Sequence, residues 1–316
     1  MVVSEKTKKD LLGKALLLLT TLIWGSSFVV LKGTLDNFGN GHFTFLILTL
    51  RFTISAVIIF FFAFKKFKTI ERGVILRGII LGVILFGAYS VQTLGLKYTT
   101  PSKNAFLTVS YCIIVPFASW LILKKKPEPR RYVATVLCLI GIALVALVGK
   151  NEKGQNEALG DALSLGCGIF YAMQIIFIDK YTEKDDAAVL LFFEILTVAV
   201  LCAAVSFSVE FPKHYAEISF DFTSVWKILY LAVFATCFTQ FAQMYGQKLV
   251  SPVSAALILS LESVFSVFFE IIAGISHITL WIGLGFGVIF LSQIVGEVDF
   301  VSIINARKNA KKSNEN

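Results

Sequence analysis

Four ionisable side chains stand inside long uncharged stretches of this chain: Arg51 in FLILTLRFTISA, Glu194 in LLFFEILTV, and Glu262 and Glu270 in LILSLESVFSVFFE. Each is costly in an apolar surrounding and must face a partner, a cavity or a passing ligand. A guanidinium there binds a carboxylate or another anionic group. Two readings of Arg51 stand: a structural ion pair with Glu194 or Glu262, and an anion site for a substrate. Glu262, Ser266 and Glu270 recur at a spacing of four, on one helical face. Glu262, Glu194 and Glu270 are the candidates for taking up and releasing a proton; for Glu270 the competing reading is a helix-end contact.

Uncharged polar and aromatic residues follow the same periodicity. Thr44, Leu48, Arg51 and Ser55 share one face, as do Thr236, Gln240, Gln243 and Gln247, and Asn104, Thr108 and Tyr111; Tyr89 and Gln92 are neighbours at i, i+3. Trp24 with Ser27 and Tyr171 with Gln174 repeat one pattern, an aromatic followed three residues later by a polar group. Each stripe alone could be inter-helix hydrogen bonding. Together they point to a polar central cavity that binds a small-molecule substrate through Trp24, Ser27, Arg51, Tyr89, Gln92, Asn104, Tyr111, Tyr171, Gln174, Gln240, Gln243 and Glu262.

The elements that carry these residues must be membrane spans. Hydrophobic residues make up 56% of the chain and charged ones 16%, and apolar runs of about 20 residues, enough to cross a hydrocarbon core of ~30 Å, recur throughout. Ten spans are expected, near residues 12–32, 43–64, 74–96, 102–123, 131–149, 158–179, 187–208, 224–247, 251–275 and 279–299. Residues 13–32 and 160–179 match without a gap under an offset of 147, which marks an internal duplication. Five spans per copy is an odd number, so the second copy starts from the opposite side and the repeats are expected to be inverted. The expected fold class is therefore all-α integral membrane, ten transmembrane helices as two inverted-topology five-helix repeats. The segments are a tail 1–11, repeat one 12–149, an extracytoplasmic linker 150–157, repeat two 158–299 and a tail 300–316.

Charge orients this arrangement. With the N-terminus inside, 21 of the 29 Lys and Arg residues fall on the inner side and seven on the outer, Arg51 alone remaining in a span. Both termini are expected to be cytoplasmic, in the lipid bilayer of the cell (plasma or inner) membrane. The basic residues sit in short loops at span ends and form no patch on a folded domain, so no nucleic-acid partner is expected. The KTKK-ALLLLTTLIW start imitates a secretory signal but belongs to the first repeat and is expected to be retained.

Other chemistries find little to build on. Cys112, Cys138, Cys167, Cys202 and Cys237 form no CxxC pair and read as small packing residues. His42, His214 and His277 lie at span ends or in a loop, and no metal or catalytic constellation can be assembled from them; no metal and no cofactor is expected. No GxxxxGK[ST] motif is present, so no nucleotide drives the chain directly. Gly78 and Gly82 form a GxxxG, and Gly283, Gly285 and Gly287 a run, which read as packing, with a monomer or a homodimer both open. The rival function, a polytopic membrane enzyme acting on a lipid-linked or membrane-soluble substrate, would require an acid or His cluster near one membrane face, and the sequence shows none; the chain is expected not to be an enzyme.

WGSSFVVLK (24–32), the Arg of FLILTLRFTISA (46–57), GLKYTTPSKNAFLTVSYCIIVP (95–116) and QKLVSPVSAALILSLESVF (247–265) occur in this order. In this the chain resembles the EamA-type permeases of the drug/metabolite transporter superfamily, with two EamA repeats over about 12–149 and 158–299. The resemblance implies ten helices, cytoplasmic termini and a central cavity opening alternately to either side, used to export amino acids, other small metabolites or toxic compounds. Carried across by motif, it points to Trp24, Arg51, Gln92, Asn104, Tyr111, Tyr171, Gln240 and Glu262. The chain departs from the family in lacking the Gly-Glu pairs after spans 4 and 9 and the Pro after Glu262, which leaves a kink in span 9 unsupported. Pro116 in span 4 is expected to kink that helix. The reading is a secondary carrier, moving substrate outward by rocking its repeats around a midplane cavity.

Overall fold

The computed structural model describes residues 5–69, 71–146, 157–218, 221–275, 277 and 279–297. The linker 150–157 apart from Glu157, the first four residues of the tail 1–11 and the tail 300–316 lie outside the described residues. Among those described there is no strand. The first repeat supplies α1 (Glu5–Asn37), α2 (Thr44–Ala63), α3 (Arg72–Tyr98), α4 (Pro101–Thr108), α5 (Tyr111–Leu123) and α6 (Pro129–Ala146). The second supplies α7 (Glu157–Thr182), α8 (Ala187–Val205), α9 (Phe211–His214), α10 (Phe222–Ala232), α11 (Thr239–Gln247), α12 (Pro252–Leu259), α13 (Leu261–Ile272) and α14 (Leu280–Glu297). Eight helical stretches among the described residues are long and apolar enough to cross a membrane, and Leu280–Gly296 is a shorter apolar helix; α6 falls on the remaining expected span. Large apolar side chains such as Phe62, Leu121 and Phe222 point outward, at 80%, 81% and 85% exposure, the surface that lipid requires.

Spans 4 and 9 are each two helices. In the first, Val109 and Ser110 separate α4 from α5, and Cys112 N donates to Val109 O (2.9 Å), a three-residue turn. In the second, α12 and α13 meet at Ser260, and Ser263 N donates to Ser260 O (3.2 Å). Pro116 lies inside α5, and the interruption falls before it, at a place with no proline. The two broken spans are copies. Thr100 and Ser251 cap α4 and α12, their hydroxyls accepting from the N–H groups of Lys103 (3.3 Å) and Ser254 (3.2 Å). Each cap is followed by a proline, Pro101 and Pro252, where a missing N–H costs nothing. The same shift carries Tyr111 onto Glu262, the residues just beyond the interruptions.

Packing between the halves is reciprocal. Helices α2 and α8 pack together, as do α6 and α14; α3 meets α7 as α11 meets α1; α3 meets α8 as α10 meets α2; α5 meets α7 as α13 meets α1; α4 meets α13 as α12 meets α5. The closest approaches are reciprocal too. A Cβ on Gly13 would lie 2.9 Å from Gly246 O, and one on Gly95 would lie 3.0 Å from Gly160 O. Gly13 corresponds to Gly160 and Gly246 to Gly95, so one glycine contact is built twice. The Gly78/Gly82 pair faces Phe193 and Thr197 of α8 in the same chain, which assigns that GxxxG to internal packing.

Candidate functional site

Arg51, 1% exposed in the middle of α2, is held by a wide turn in the second repeat. Residues Val233–Phe238 between α10 and α11 form a π-helix. There the Thr236 hydroxyl donates to Leu231 O, five residues back, at 2.8 Å. Carbonyls at this turn accept side chains from α2: Arg51 Nη2 donates to Ala235 O (2.7 Å) and Ser55 Oγ to Ala232 O (2.7 Å), while Arg51 Nε donates to Thr236 Oγ1. The guanidinium carbon lies 4.9 Å from the centre of the Tyr89 ring, a cation–π contact. Among the described residues no ion pair joins Arg51 to Glu194 or Glu262, so the structural-pair reading of Arg51 is replaced by a neutral, carbonyl-lined seat.

A polar chain runs on from this seat. Tyr89 Oη accepts from Arg51 Nη2 and Gln240 Nε2, both at 3.4 Å; Gln174 Nε2 donates to Gln240 Oε1 (3.4 Å) and Glu194 Oε1 (2.9 Å); and Gln243 Nε2 donates to Gln174 Oε1 (3.4 Å). A second branch starts at Tyr171, whose hydroxyl donates to Gln92 Oε1 (2.7 Å), and Gln92 Nε2 donates to Thr108 Oγ1 (3.2 Å). Tyr171 stands edge-on to both Tyr89 and Tyr111, ring centres 6.1 and 6.3 Å away. The Tyr111 hydroxyl donates to Glu262 Oε1 at 3.4 Å, joining the two interrupted spans.

These groups surround a small cavity of about 30 Å³, room for one or two water molecules. Trp24, Ser27, Arg51, Tyr89, Gln92, Tyr111, Tyr171, Gln243 and Glu262 line it, with Phe28, Leu31, Ile175 and Leu259 as apolar wall. Asn104, Gln174 and Gln240 lie behind it: Asn104 Nδ2 donates to Gln92 O (3.1 Å) and Ser164 Oγ (2.6 Å), and the two glutamines sit in the polar chain. Glu194 is also behind the wall, its Oε2 buried with no partner among the described residues. Glu270 lies elsewhere, accepting from Ser102 N at the start of α4 (2.9 Å), the helix-end contact. Trp24 is more firmly fixed than its sequence suggests, since its indole N–H donates to Thr239 Oγ1 at 2.9 Å. Thr239 escaped the sequence reading because it falls beside, not on, the Thr236–Gln240–Gln243 stripe.

Charged pairs fasten both ends of α7. At its start Lys103 Nζ meets Glu157 (2.6 Å) and Asp161 (2.7 Å). In its last turn and just beyond, Lys125 meets Asp179 (2.8 Å) and Glu183 (2.7 Å), Arg77 pairs with Asp185, and Lys66 meets Asp186 (2.7 Å). The hydrogen bond and charge of Lys125 hold the Glu183 carboxyl below the usual carboxylate range. Burial opposes ionisation of Asp186, but Lys66 and the backbone N–H groups that it caps at Ala188 and Val189 outweigh it and keep its pKa low. Each of these pairs joins one repeat to the other. Folding brings His42 and His214, far apart in the sequence, together on Glu217, while His277 is exposed.

Known proteins share this architecture. An "Uncharacterized transporter" of Archaeoglobus fulgidus is 32% identical over 255 residues, covering 81% of this chain and 76% of that protein. A second "Uncharacterized transporter" from the same organism is 24% identical over 266 residues, covering 82% and 88%. A solved structure titled "Crystal structure of protein" superposes with a TM-score of 0.73 at 14% identity, over 93% of this chain and 98% of its own, which establishes the likeness of fold. The EamA-like transporter family matches twice, over residues 11–147 and 158–295. Two matched repeats covering most of a multi-pass helical chain, around a cavity to which both contribute, make this a membrane transporter, and the chain belongs to the EamA-like transporter family.

Proposed function

We propose that the chain is a secondary carrier that exports small metabolites, such as amino acids or related organic compounds, by alternating access around the cavity at Arg51 and Glu262. The observation that carries this reading is the composition of the wall: one cation, one carboxyl group, three tyrosines, a tryptophan and two glutamines, drawn from both repeats and buried at mid-span. Such side chains are stable in a membrane only where they meet a ligand, water or one another. In this reading the chain crosses the cell membrane ten times as two inverted repeats with both termini in the cytoplasm, an arrangement supported by the reciprocal helix contacts and the Lys/Arg bias. Substrate is covered by Trp24 and Tyr171, an anionic group on it is met by Arg51, and a proton is carried by Glu262, with Glu194 behind it. The interlocked contacts revise the moving parts: each repeat grips the other, so the bodies that rock are groups of helices drawn from both halves.

The cavity has room for water and not for a metabolite, so in this reading it widens to take up substrate, and the ion pairs at one end of α7 are the contacts that part. Purified protein in liposomes tests the proposal. Labelled amino acid should cross the bilayer chemically unchanged, and Arg51→Ala and Glu262→Gln should each lower the rate at least about tenfold, the loss expected when a charge-assisted contact worth ~1.5 kcal/mol or more is removed. An imposed pH gradient should change the rate in the parent and not in Glu262→Gln. A chemically modified product would replace the carrier reading with an enzyme, and full activity in both variants would remove Arg51 and Glu262 from the site.

A further inference from the structure

The connection between α1 and α2 is unusually tight. Gly39, Asn40 and Gly41 follow one another at φ of 54°, 53° and 79°, and a Cβ on Gly39 would strike the Phe43 ring. The turn presents Asn40 and His42 on the surface. From the other repeat, α9 and the turn Tyr215–Glu217 present His214 and Glu217. The two imidazoles stack with ring centres 3.9 Å apart and planes 9° from parallel. Both reach one carboxylate: His42 Nδ1 lies 2.7 Å from Glu217 Oε2, His214 Nδ1 lies 2.9 Å from Oε1, and Asn40 Nδ2 donates to Oε2 at 3.2 Å. Nearby, Glu210 fastens this segment to the start of α2 by accepting from Phe45 N (2.7 Å) and Leu46 N (2.9 Å).

We propose that His42, His214 and Glu217 bind a divalent transition-metal ion of the Zn²⁺ class, fastening the two repeats together at this end of the molecule. Two imidazole nitrogens and one carboxylate oxygen, all within 4.8 Å of one another, are a borderline N/O ligand set. Three protein ligands leave a fourth tetrahedral position for water. Ligation through Nδ1 requires that nitrogen to be unprotonated: a neutral ring then carries its one proton on Nε2, and a ring that starts as imidazolium releases its Nδ1 proton to solvent as the ion binds. Parallel rings cannot both point a lone pair at one ion, so binding turns at least one imidazole about χ2. That torsion is soft, and His42 is exposed enough to make it. Asn40 holds the carboxylate oxygen as an outer partner. The segments belong to different repeats and different turns, so their meeting on one carboxylate is a product of the fold.

The test is titration of ZnCl₂ into the purified full-length chain carrying no added histidines, read by equilibrium dialysis and by thermal unfolding. One saturable equivalent per chain is expected, with a Zn²⁺-dependent rise in Tm, because an ion that binds the folded state alone stabilises it. His42→Gln and His214→Gln should each weaken binding at least about a hundredfold, and Asn40→Ala by about ten- to a hundredfold, as outer partners of metal ligands do. Glu217→Gln keeps an oxygen acceptor for a ring and preserves the fold, so its loss of Zn²⁺ binding answers the case in which a histidine variant misfolds. With Co²⁺ the spectrum should lack a sulfur-to-metal charge-transfer band. Absence of saturable binding, binding unchanged in Glu217→Gln, or a sulfur band would overturn the proposal and leave a hydrogen-bonded His–Glu clasp.

Discussion

At the scale of single residues, the chemistry rests on how Arg51 is held. Its Nε and Nη2 are committed to Thr236, Ala235 O and Tyr89, in three directions. A lysine carries the charge and three N–H donors, but on one tetrahedral nitrogen, without the planar fork whose separate Nε and Nη2 reach Thr236 and Ala235 O together. We therefore expect Arg51→Lys to lower the Tm of the purified protein along with Arg51→Ala, each by leaving buried acceptors unpaired at ~1–3 kcal/mol per group. A lysine variant with the parent Tm would show that the seat needs charge alone. Much of this was legible in the sequence. An arginine inside FLILTLRFTISA announces itself, and the glutamine stripe of 240, 243 and 247 does the same. Its partner was not legible: a backbone carbonyl leaves no trace in residue type, so of the two readings of Arg51 the ion pair gives way to Ala235 O, Thr236 and Tyr89, and the substrate-anion site stays a proposal. Asn104 and Gln240 show the converse limit, since a stripe reveals a buried face without revealing whether cavity or neighbouring helix covers it.

At the scale of elements, the turn at Val233–Phe238 is the piece that periodicity could not reveal, because one extra residue in a turn shifts the register only slightly. Helix α3, the counterpart of α10 and α11, runs without such a turn. Thr236 closes the wide turn by donating to Leu231 O, and it also receives Arg51. Thr236→Val keeps the shape and removes both bonds. We expect a loss of about 2–4 kcal/mol, two buried hydrogen bonds with an unpaired guanidinium N–H left behind, measured as a shift in denaturant midpoint; Thr236→Ser should recover most of it. A neutral Thr236→Val would mean that the turn stands without its hydroxyl. The interruptions of spans 4 and 9 were half legible. Pro101 and Pro252 behind Thr100 and Ser251 mark helix starts in plain sequence, whereas Ser110 and Ser260, where the helices break, are ordinary residues in apolar runs.

At the scale of the whole molecule, the repeats are fastened to each other at both ends of α7. Lys125 is the sharpest handle, bridging Asp179 and Glu183 from the connection after α5. Glu183 ionises at a lower pH in the folded chain than in the unfolded one, so its contribution is present above the unfolded value and is lost as pH falls through the folded value. Acidification, not alkalinisation through neutral pH, should therefore loosen this end. Hydrogen exchange makes the check: Lys125→Ala should raise exchange around residues 179–186 and leave the Lys103 end at the parent rate, and in the parent the same rise should follow acidification below the usual carboxylate range. Equal exchange at both ends would mean that they do not open independently. The duplication was legible from the 147-residue offset, and span positions from hydropathy. How the copies grip each other was not, because contacts between distant segments are set by shape and not by composition.

The twofold glycine contact, Gly13 on Gly246 and Gly95 on Gly160, has a meaning for how such a chain is made. Neither copy is a domain in the sense of a body that closes its own core. Helix α1 finds α11 and α13, and α7 finds α3 and α5, only after synthesis has passed into the second half. During insertion the first half must wait in the bilayer with its packing faces turned to lipid, small residues forward. The nascent chain is thus a lock without a key for the time it takes to translate the remaining half. Its surest substitute in that interval would be another copy of itself, an encounter that the physical tether between the halves outcompetes.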